Sequence, residues 1–173
     1  MDTIIIKEVG PADLESLQQI SRQTFIETFA GSNTEADMEQ YLQQDLSAAR
    51  LTGELADPHS FFYFALSGDT VIGYLKLNTG KAQTELQQEH SLEIERIYVL
   101  QACYGKGVGQ VLYEKAVAVA RDQKVAYIWL GVWEHNLRAI RFYDKQGFVA
   151  FDKHIFRLGK DEQTDIMMKK MLS

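Results

Sequence analysis

Two glutamates stand two residues apart in the apolar stretch Leu92-Glu93-Ile94-Glu95-Arg96-Ile97-Tyr98-Val99-Leu100. Side chains alternate along a strand, so Glu93 and Glu95 share one face if the strand is regular. A primary amine near its reference pKa of about 10 is mostly protonated at neutral pH and needs a base before it can attack. A carboxylate with a raised pKa in a partly buried cleft can be that base, directly or through water. The alternative for each glutamate is a surface salt bridge with Arg96 or Lys76.

A glycine-rich turn, Tyr104-Gly105-Lys106-Gly107-Val108-Gly109, follows this stretch. Glycines leave the backbone open to a ligand, and the first turn of the helix predicted to follow offers amide N–H groups without intrahelical partners. These amides and the helix dipole favour a phosphate or pyrophosphate. No Lys-Ser or Lys-Thr follows, which excludes a P-loop, and the even glycine spacing does not match a dinucleotide fingerprint. The alternative is a tight strand-to-helix connection.

A third group of residues shares one face of a predicted helix, at i, i+3, i+4 and i+7: Asn136, Ala139, Ile140 and Tyr143. A helix face that packs against a sheet is normally apolar. The side-chain amide of Asn136 and the phenol of Tyr143 therefore need hydrogen-bond partners, which a ligand could supply. The alternative is that Asn136 is only the N-cap and Tyr143 an amphipathic core residue.

The elements that position these residues alternate between strands and helices, which favours an α/β or α+β fold. Apolar and β-branched runs predict seven strands over Thr3–Val9, Phe61–Leu66, Val71–Asn78, Leu92–Leu100, Val125–Val132, Phe148–Leu158 and Gln163–Leu172. Periodicity and caps predict helices over Pro11–Phe29, Thr34–Leu46, Ser47–Asp57, after the glycine turn, and over Asn136–Gln146. The polar segment Thr79–His90 predicts a mobile loop.

Composition predicts a single domain over residues 1–173, with 46% hydrophobic and 24% charged residues. No apolar run approaches the length of a membrane span and the N-terminus lacks a signal-peptide pattern, so we expect a cytoplasmic protein without a membrane partner. The single cysteine, Cys103, agrees with a reducing compartment. A net charge of -6 argues against nucleic acid and suits a cationic small molecule.

The four histidines show no metal-ligand spacing, which predicts no metal and ordinary surface or capping roles: His59, His90, His135 and His154. Cys103 lies at a loop position with no evident activating histidine, which argues against covalent catalysis.

The glycine turn resembles the acetyl-CoA pyrophosphate loop of the GCN5-related N-acetyltransferases, the GNAT superfamily, usually written Arg/Gln-x-x-Gly-x-Gly/Ala. The segment Val132–Phe148 resembles the second motif of that family, with Asn, Ala, Tyr and Gly-Phe at the expected spacing. The order of elements also fits, so the resemblance covers nearly the whole chain. One departure is Tyr104 at the position that is normally Arg or Gln. If backbone amides do most of the phosphate binding, a tyrosine at position 104 should be tolerated. The substitution nevertheless puts a phosphate contact from the side chain at position 104 in question.

The resemblance implies a mixed, mostly antiparallel sheet of about seven strands, splayed between the fourth and fifth and flanked by helices, with acetyl-CoA in the cleft. It implies that the pantetheine arm pairs with the backbone of Ile97, Tyr98 and Val99. The implied pyrophosphate site is Tyr104, Gly105, Lys106, Gly107, Val108 and Gly109. Asn136 and Ala139 would contact the cofactor arm, and Tyr143 would donate a proton to the leaving thiolate. The family's glutamate often lies six residues before the final valine of the strand, which favours Glu93 as base and leaves Glu95 as second candidate or substrate anchor.

Four stretches resemble bacterial polyamine acetyltransferases of the spermidine/spermine type: Thr24–Phe29, Leu92–Val99, Trp129–Glu134 and Phe156–Asp165. This resemblance implies direct attack by a polyamine in a ternary complex. The implied acceptor-binding residues are Phe25, Glu27, Phe29, Glu95 and Trp133. Acidic residues of the first two helices either line a channel for a polycation or form a solvated helix face: Glu27, Glu35, Asp37 and Glu39.

Two other functions remain open from the sequence. One is acetylation of a protein N-terminus, a lysine or another small amine, and the other is a non-catalytic acyl-CoA-binding module. The predicted strand edges are compatible with a homodimer.

Overall fold

The structure is a computed structural model that describes residues 3–85 and 90–172. Its strands are β1 (Ile4–Glu8), β2 (Ser60–Ser67), β3 (Thr70–Thr79), β4 (Ser91–Val99), β5 (Tyr127–Trp133), β6 (Val149–Leu158) and β7 (Asp161–Met171). Its α-helices are α1 (Leu14–Phe29), α2 (Glu35–Gln44), α3 (Ala48–Ala56), α4 (Val108–Asp122) and α5 (Leu137–Lys145). Within these two ranges, no helix is long and apolar enough to cross a membrane.

The predicted elements are present with boundaries shifted by a few residues. The start of the first helix differs, because Pro11–Asp13 forms a short 3₁₀ turn before α1. The predicted glycine at the end of α5 is confirmed, since Gly147 has a left-handed φ of 95°.

The described strands form a seven-stranded sheet in the order β1-β2-β3-β4-β5-β7-β6. Every neighbouring pair is antiparallel except β4 and β5, which are parallel. The mixed, mostly antiparallel sheet expected from the resemblance is therefore confirmed.

The pairing of β4 with β5 stops early. It covers only Ser91–Ile94 against Tyr127–Leu130, although both strands continue beyond these residues. The sheet therefore opens into a cleft after Ile94 and Leu130, here called the β4–β5 split. This confirms the splayed sheet.

Helices cover both faces of the sheet. One core lies between the sheet and helices α4 and α5, and includes Leu92, Ile94, Leu112, Ala116, Ile128 and Tyr143. The other lies between the sheet and helices α1 to α3, and includes Leu17, Phe25, Leu42, Leu51, Phe64 and Tyr74. Each amphipathic helix thus buries its apolar stripe against a sheet face.

A β-bulge in β4 decides which side chains reach the cleft. Lys76 pairs with Arg96 and the next residue of β3 pairs with Ile94, which leaves Glu95 as the extra residue. Ile94 and Ile97 therefore both pack on the α4 side, although they are three residues apart. The predicted shared face of Glu93 and Glu95 holds, and the bulge adds Arg96 to it.

The polar segment Thr79–His90, predicted from the sequence as a mobile loop, is anchored to the sheet at Gln83. Gln83 is buried, and its Oε1 accepts hydrogen bonds from Trp129 Nε1 at 2.7 Å and from Ser91 Oγ at 2.8 Å. Polar composition predicted exposure, but buried polar groups need hydrogen-bond partners, and here they hold the segment against the sheet. Residues 86–89 of that segment lie outside the described residues.

Gly73 of β3 is predicted to be sensitive to any side chain. A Cβ there would lie 2.8 Å from the Tyr98 carbonyl oxygen and 3.3 Å from Leu112 Cδ1. We expect Gly73→Ala to lower the free energy of unfolding by about 1–3 kcal/mol, because the backbone must shift. The matched control is Gly53→Ala in exposed α3, where a Cβ meets nothing within 4 Å. It should raise stability by about 1 kcal/mol. Urea unfolding measures the free energy of unfolding of both variants. Equal changes in the two would contradict the close approach of Tyr98 and Leu112 to Gly73.

Candidate active site

Two cavities meet at the β4–β5 split. The inner cavity has a volume of about 270 Å³ and is lined by residues that include Phe25, Tyr41, Glu93, Trp129, His154 and Asp165. The outer cavity, of about 540 Å³, is lined by residues that include Val99, Tyr104, Gly109, Arg138, Arg141 and Phe142. Both are lined by Ile97, Tyr98, Trp133, Asn136, Ala139 and Tyr143. The predicted acid and base therefore lie around one continuous cleft with Tyr104 and Gly109 of the glycine turn, whereas the lining of the two cavities does not include Gly105, Lys106, Gly107 and Val108.

Glu93 lines the inner cavity and is held by hydrogen bonds from neutral groups. Its Oε1 accepts from Asn78 Nδ2 at 2.9 Å and from the Thr84 backbone N–H at 2.8 Å. Its Oε2 accepts from Thr84 Oγ1 at 2.6 Å. Burial, and secondarily the nearby Glu95 carboxylate, raise the pKa of Glu93. A carboxylate with a raised pKa has gained proton affinity, as a general base requires.

Glu95 is bound to two buried cations. Its Oε1 lies 2.6 Å from Lys76 Nζ, and its Oε2 lies 3.1 Å from Arg96 Nη2. Glu54 of α3 closes the network, with Oε1 2.9 Å from Arg96 Nη1 and 3.4 Å from Lys76 Nζ.

This network separates the two glutamates chemically. Burial alone would raise the pKa of Glu95, but the charges of Arg96 and Lys76 outweigh burial and lower it to about 2. Glu95 therefore stays ionised at neutral pH and is a weak base, whereas Glu93 has no cationic partner among the described residues.

Aromatic side chains of α1, α2, β5 and β6 form one wall of the inner cavity. Phe25 stacks on Tyr41 with ring centroids 4.2 Å apart, and Phe29 lies 5.7 Å from Trp133 and 6.1 Å from Phe156. Phe25, Phe29 and Trp133, all predicted from the sequence, line this cavity.

The predicted acidic channel of the first two helices does not line the inner cavity. Glu27 lines the outer cavity, where its Oε1 accepts a hydrogen bond from the Gln101 backbone N–H at 2.9 Å. Asp37 accepts from the Lys160 backbone N–H, and Glu39 accepts from Gln43. Glu35 and Glu39 lie on the exposed face of α2, which is the solvated face that the sequence left as the alternative.

A histidine and two carboxylates that sequence analysis missed also line the inner cavity. His154 Nε2 lies 3.8 Å from Asp165 Oδ2, and His154 Nδ1 lies 3.4 Å from Glu85 Oε1. Burial raises the pKa of Asp165, while His154 opposes that effect. Gly131 gives this pair room, since a Cβ there would lie 3.4 Å from both Asp165 Oδ2 and His154 Cε1. His154 is thus half-buried and lines the inner cavity, instead of the surface or capping role expected from the sequence.

One signal in the sequence could have found this pair. Gly159-Lys160 is the two-residue connection between β6 and β7, and counting back from it pairs His154 with Asp165 across the hairpin.

The N-terminus of α4 is built to receive an anion. The side chains of Thr34, Ser47 and Asn136 cap α2, α3 and α5, whereas α4, like α1, has no side-chain cap, and its N-cap residue is Gly107. Gly105 and Gly107 adopt left-handed φ angles of 77° and 84°. A Cβ at Gly105, Gly107 or Gly109 would meet nothing within 4 Å, so the turn is an open cradle beneath free amide N–H groups. The residues present therefore fit a pyrophosphate.

The α5 residues close the cleft. Asn136 is the N-cap, with Oδ1 accepting from the Ala139 backbone N–H at 3.2 Å, so the capping alternative holds, and Asn136 also lines both cavities. Tyr143 is buried, and its hydroxyl has no hydrogen-bond partner among the described residues. Burial raises the pKa of Tyr143, so the hydroxyl keeps its proton at neutral pH.

No group of three or more His, Cys, Asp or Glu side chains in residues 3–85 and 90–172 is arranged to hold a metal ion. Cys103 is a free thiol and is not among the residues that line either cavity.

The lowered pKa of Glu95 predicts a pH dependence of stability. In the unfolded chain Glu95 binds its proton near 4.5, and in the native protein only near 2. The contribution of ionised Glu95 to the free energy of unfolding is therefore complete above pH 4.5 and is lost as the pH falls toward 2. Between about pH 5 and pH 3 we expect the wild type to lose more unfolding free energy than Glu95→Gln.

Urea unfolding at the two pH values measures this difference. Glu162→Gln is the control, because Glu162 forms an exposed pair with Arg157 and should lose stability as the wild type does. Equal losses in the wild type and Glu95→Gln would contradict the network.

Comparison with known proteins agrees with this geometry. The model of the acetyltransferase (GNAT) family matches residues 14–148. The chain is 42% identical over 172 residues, 99% of both chains, to an uncharacterised N-acetyltransferase in the pepI 3′ region of Lactobacillus delbrueckii subsp. lactis. It is 25% identical over 154 residues, 87% of this chain and 91% of the relative, to the spermidine N(1)-acetyltransferase of Thermoplasma acidophilum.

Its fold is similar to the crystal structure of PaiA N-acetyltransferase from Thermoplasma acidophilum in complex with coenzyme A. The TM-score is 0.80 at 23% identity, with 98% of this chain and 99% of the other covered. Sequence match, topology and cleft agree, and the chain belongs to the GNAT family of acetyl-CoA-dependent N-acetyltransferases.

Proposed function

We propose that the protein transfers the acetyl group of acetyl-CoA to a primary amine of a polyamine such as spermidine or spermine, by direct attack in a ternary complex. The observation that carries this proposal is the inner cavity. It combines carboxylates with an aromatic wall and lies beside the β4–β5 split.

The charges of the inner cavity favour a cationic acceptor. Glu95 is compensated by Lys76 and Arg96, but Glu85, Glu93 and Asp165 lie there without a lysine or arginine partner among the described residues. Carboxylates spaced along a cavity attract ammonium groups spaced along a chain.

The aromatic wall suits the rest of such an acceptor. Rings such as those of Phe25, Phe29 and Trp133 can contact methylene groups and attract a cation to their faces. The likeness to the spermidine N(1)-acetyltransferase of Thermoplasma acidophilum points to the same acceptor class.

Glu93 is the proposed base. It would take the proton of the acceptor ammonium, directly or through water, since its raised pKa and lack of a cationic partner distinguish it from Glu95. Glu95 would bind a positive charge of the acceptor and would hold Lys76 and Arg96 in the ionic network.

The donor side is assigned to β4, α4 and α5. Acetyl-CoA supplies the acetyl group as a thioester. Beyond Ile94, β4 has no β5 partner, so the backbone of Ile97–Val99 is available to the pantetheine arm. The amides of Gly105–Gly109 would hold the pyrophosphate, with Tyr104, Lys106 and Val108 in the same turn. Asn136 and Ala139 would contact the arm, and Tyr143 would protonate the leaving thiolate.

Acceptor class is tested with purified protein, acetyl-CoA and a panel of spermidine, spermine, a monoamine of similar length, amino acids and short peptides. We expect saturable thiol release with the polyamines and intersecting initial-rate lines, as a ternary complex requires. Asp165→Asn should raise KM for spermidine by about 10-fold to 100-fold, the range for one charged hydrogen bond, and change KM for the monoamine little.

Asp152→Asn is the control, since Asp152 is an exposed residue of β6. Turnover confined to peptides would contradict the polyamine acceptor, and parallel initial-rate lines would contradict direct attack. Acetyl-CoA binding without turnover on any amine would favour the non-catalytic module.

The two proposed catalytic side chains should affect the pH profile differently. Glu93→Gln should lower kcat by about 100-fold and remove the acidic limb, because the activity of a base falls as the pH drops through its pKa. Tyr143→Phe should lower kcat by about 10-fold or more while that limb stays. If the acidic limb persists in Glu93→Gln, another group is the base.

A cytoplasmic location and a homodimer stay predictions from the sequence.

A further inference from the structure

The departure from the family pattern at position 104 has a structural counterpart on α5. The pyrophosphate motif normally begins with Arg or Gln, and here that position is Tyr104, a residue that is 37% exposed. The guanidinium carbon of Arg138 lies 3.9 Å from the centroid of this ring. Both residues line the outer cavity together with Gly109 of the glycine turn.

The position of Arg138 within α5 is unfavourable for a cation. It is the second residue of the helix, where the helix dipole repels positive charge, and no acidic residue stands in the first turn to compensate. Among the described residues, Arg138 forms no ion pair and no hydrogen bond with a side chain or backbone group. Its guanidinium lies over the Tyr104 ring, and its N–H donors have no oxygen or nitrogen acceptor among the described residues.

We infer that Arg138, which lies over the Tyr104 ring, supplies the side-chain contact to the pyrophosphate that the family pattern places at position 104. This inference rests on the proposed site of the pyrophosphate at the glycine turn. The tyrosine ring fixes the direction of a long, flexible side chain, because a cation is attracted to the face of an aromatic ring. The N–H edges then complement the amide N–H groups of α4, and planar bidentate donors suit phosphate oxygens.

A charge-relocation experiment tests this inference in the full chain. Calorimetry with CoA would compare the wild type, Arg138→Ala, Tyr104→Arg and the double variant Tyr104→Arg/Arg138→Ala. We expect Arg138→Ala to raise the Kd for CoA by about 10-fold or more, the effect of one charged hydrogen bond. The double variant should recover much of that loss, since it restores an arginine at the position that the family uses. Arg121→Ala, in the exposed last turn of α4, is the control and should bind CoA as the wild type does.

Two further ligands locate the contact. Dephospho-CoA, which keeps the pyrophosphate but lacks the 3′-phosphate, should show the same loss with Arg138→Ala. S-acetylpantetheine, which lacks both, should be used as donor by Arg138→Ala and by the wild type with equal kcat/KM. A loss seen only with CoA would overturn the inference in favour of a 3′-phosphate contact. A proportional loss with S-acetylpantetheine, an unchanged Kd for CoA, or no recovery in the double variant would also overturn it.

A second pair of variants tests the pyrophosphate site independently. Gly109→Asp places an anion in the first turn of α4, which suits the helix dipole but repels a pyrophosphate, and Gly109→Asn adds the same volume without charge. We expect Gly109→Asp to weaken CoA binding more than Gly109→Asn does. If this pair behaves so while Arg138→Ala is unchanged, only the role of Arg138 fails. If Gly109→Asp and Gly109→Asn bind CoA equally well, the proposed pyrophosphate site fails, and the inference with it.

Discussion

A buried ionic network beneath the inner cavity is the interaction on which the candidate site depends. Burying the cations of Lys76 and Arg96 costs free energy unless each is paired, and Glu95 and Glu54 provide those pairs. The bulge at Glu95 makes the pairing geometrically possible, because it brings Glu95 and Arg96 to the same face of β4. The network leaves Glu93 without a cation. The pKa values of two glutamates in one strand are thereby shifted in opposite directions. This difference separates Glu93, the proposed base, from Glu95, the proposed anchor.

The early end of β4–β5 pairing creates both halves of the cleft. After Ile94 and Leu130 the two strands separate, so one edge of β4 faces the cleft instead of a partner strand. Gly131, on β5 beyond the split, leaves space for the His154–Asp165 pair because it has no side chain. Tyr143 lines both cavities at this junction. An acetyl thioester and an acceptor amine bound on the two sides would meet there, and holding two reactants in such geometry is a large part of catalysis.

Charge is divided between the two cavities. Among the described residues, carboxylates outnumber Arg96 in the lining of the inner cavity, whereas the outer cavity combines the uncapped N-terminus of α4 with cations that outnumber Glu27: Arg138, Arg141 and Lys145. This basic surface belongs to a chain whose net charge is -6. An anionic donor and a cationic acceptor would each be attracted to its own side, which favours productive orientation. The net charge alone would have concealed this division.

The elements, the glycine turn and the shared face of α5 could be predicted from the sequence, because periodicity, turn chemistry and short spacings are local in the chain. The family could be named because two such local segments resemble its motifs. Other features depend on contacts between distant parts of the chain. The bulge at Glu95 depends on packing against both faces of the sheet, and the burial of Gln83 depends on Trp129, far along the chain. His154 gained its neighbours through strand register, which the sequence indicates only through the short connection Gly159-Lys160. Glu27 and Glu39 showed the converse, since their charge suggested an acceptor channel while the packing of α1 and α2 placed them elsewhere.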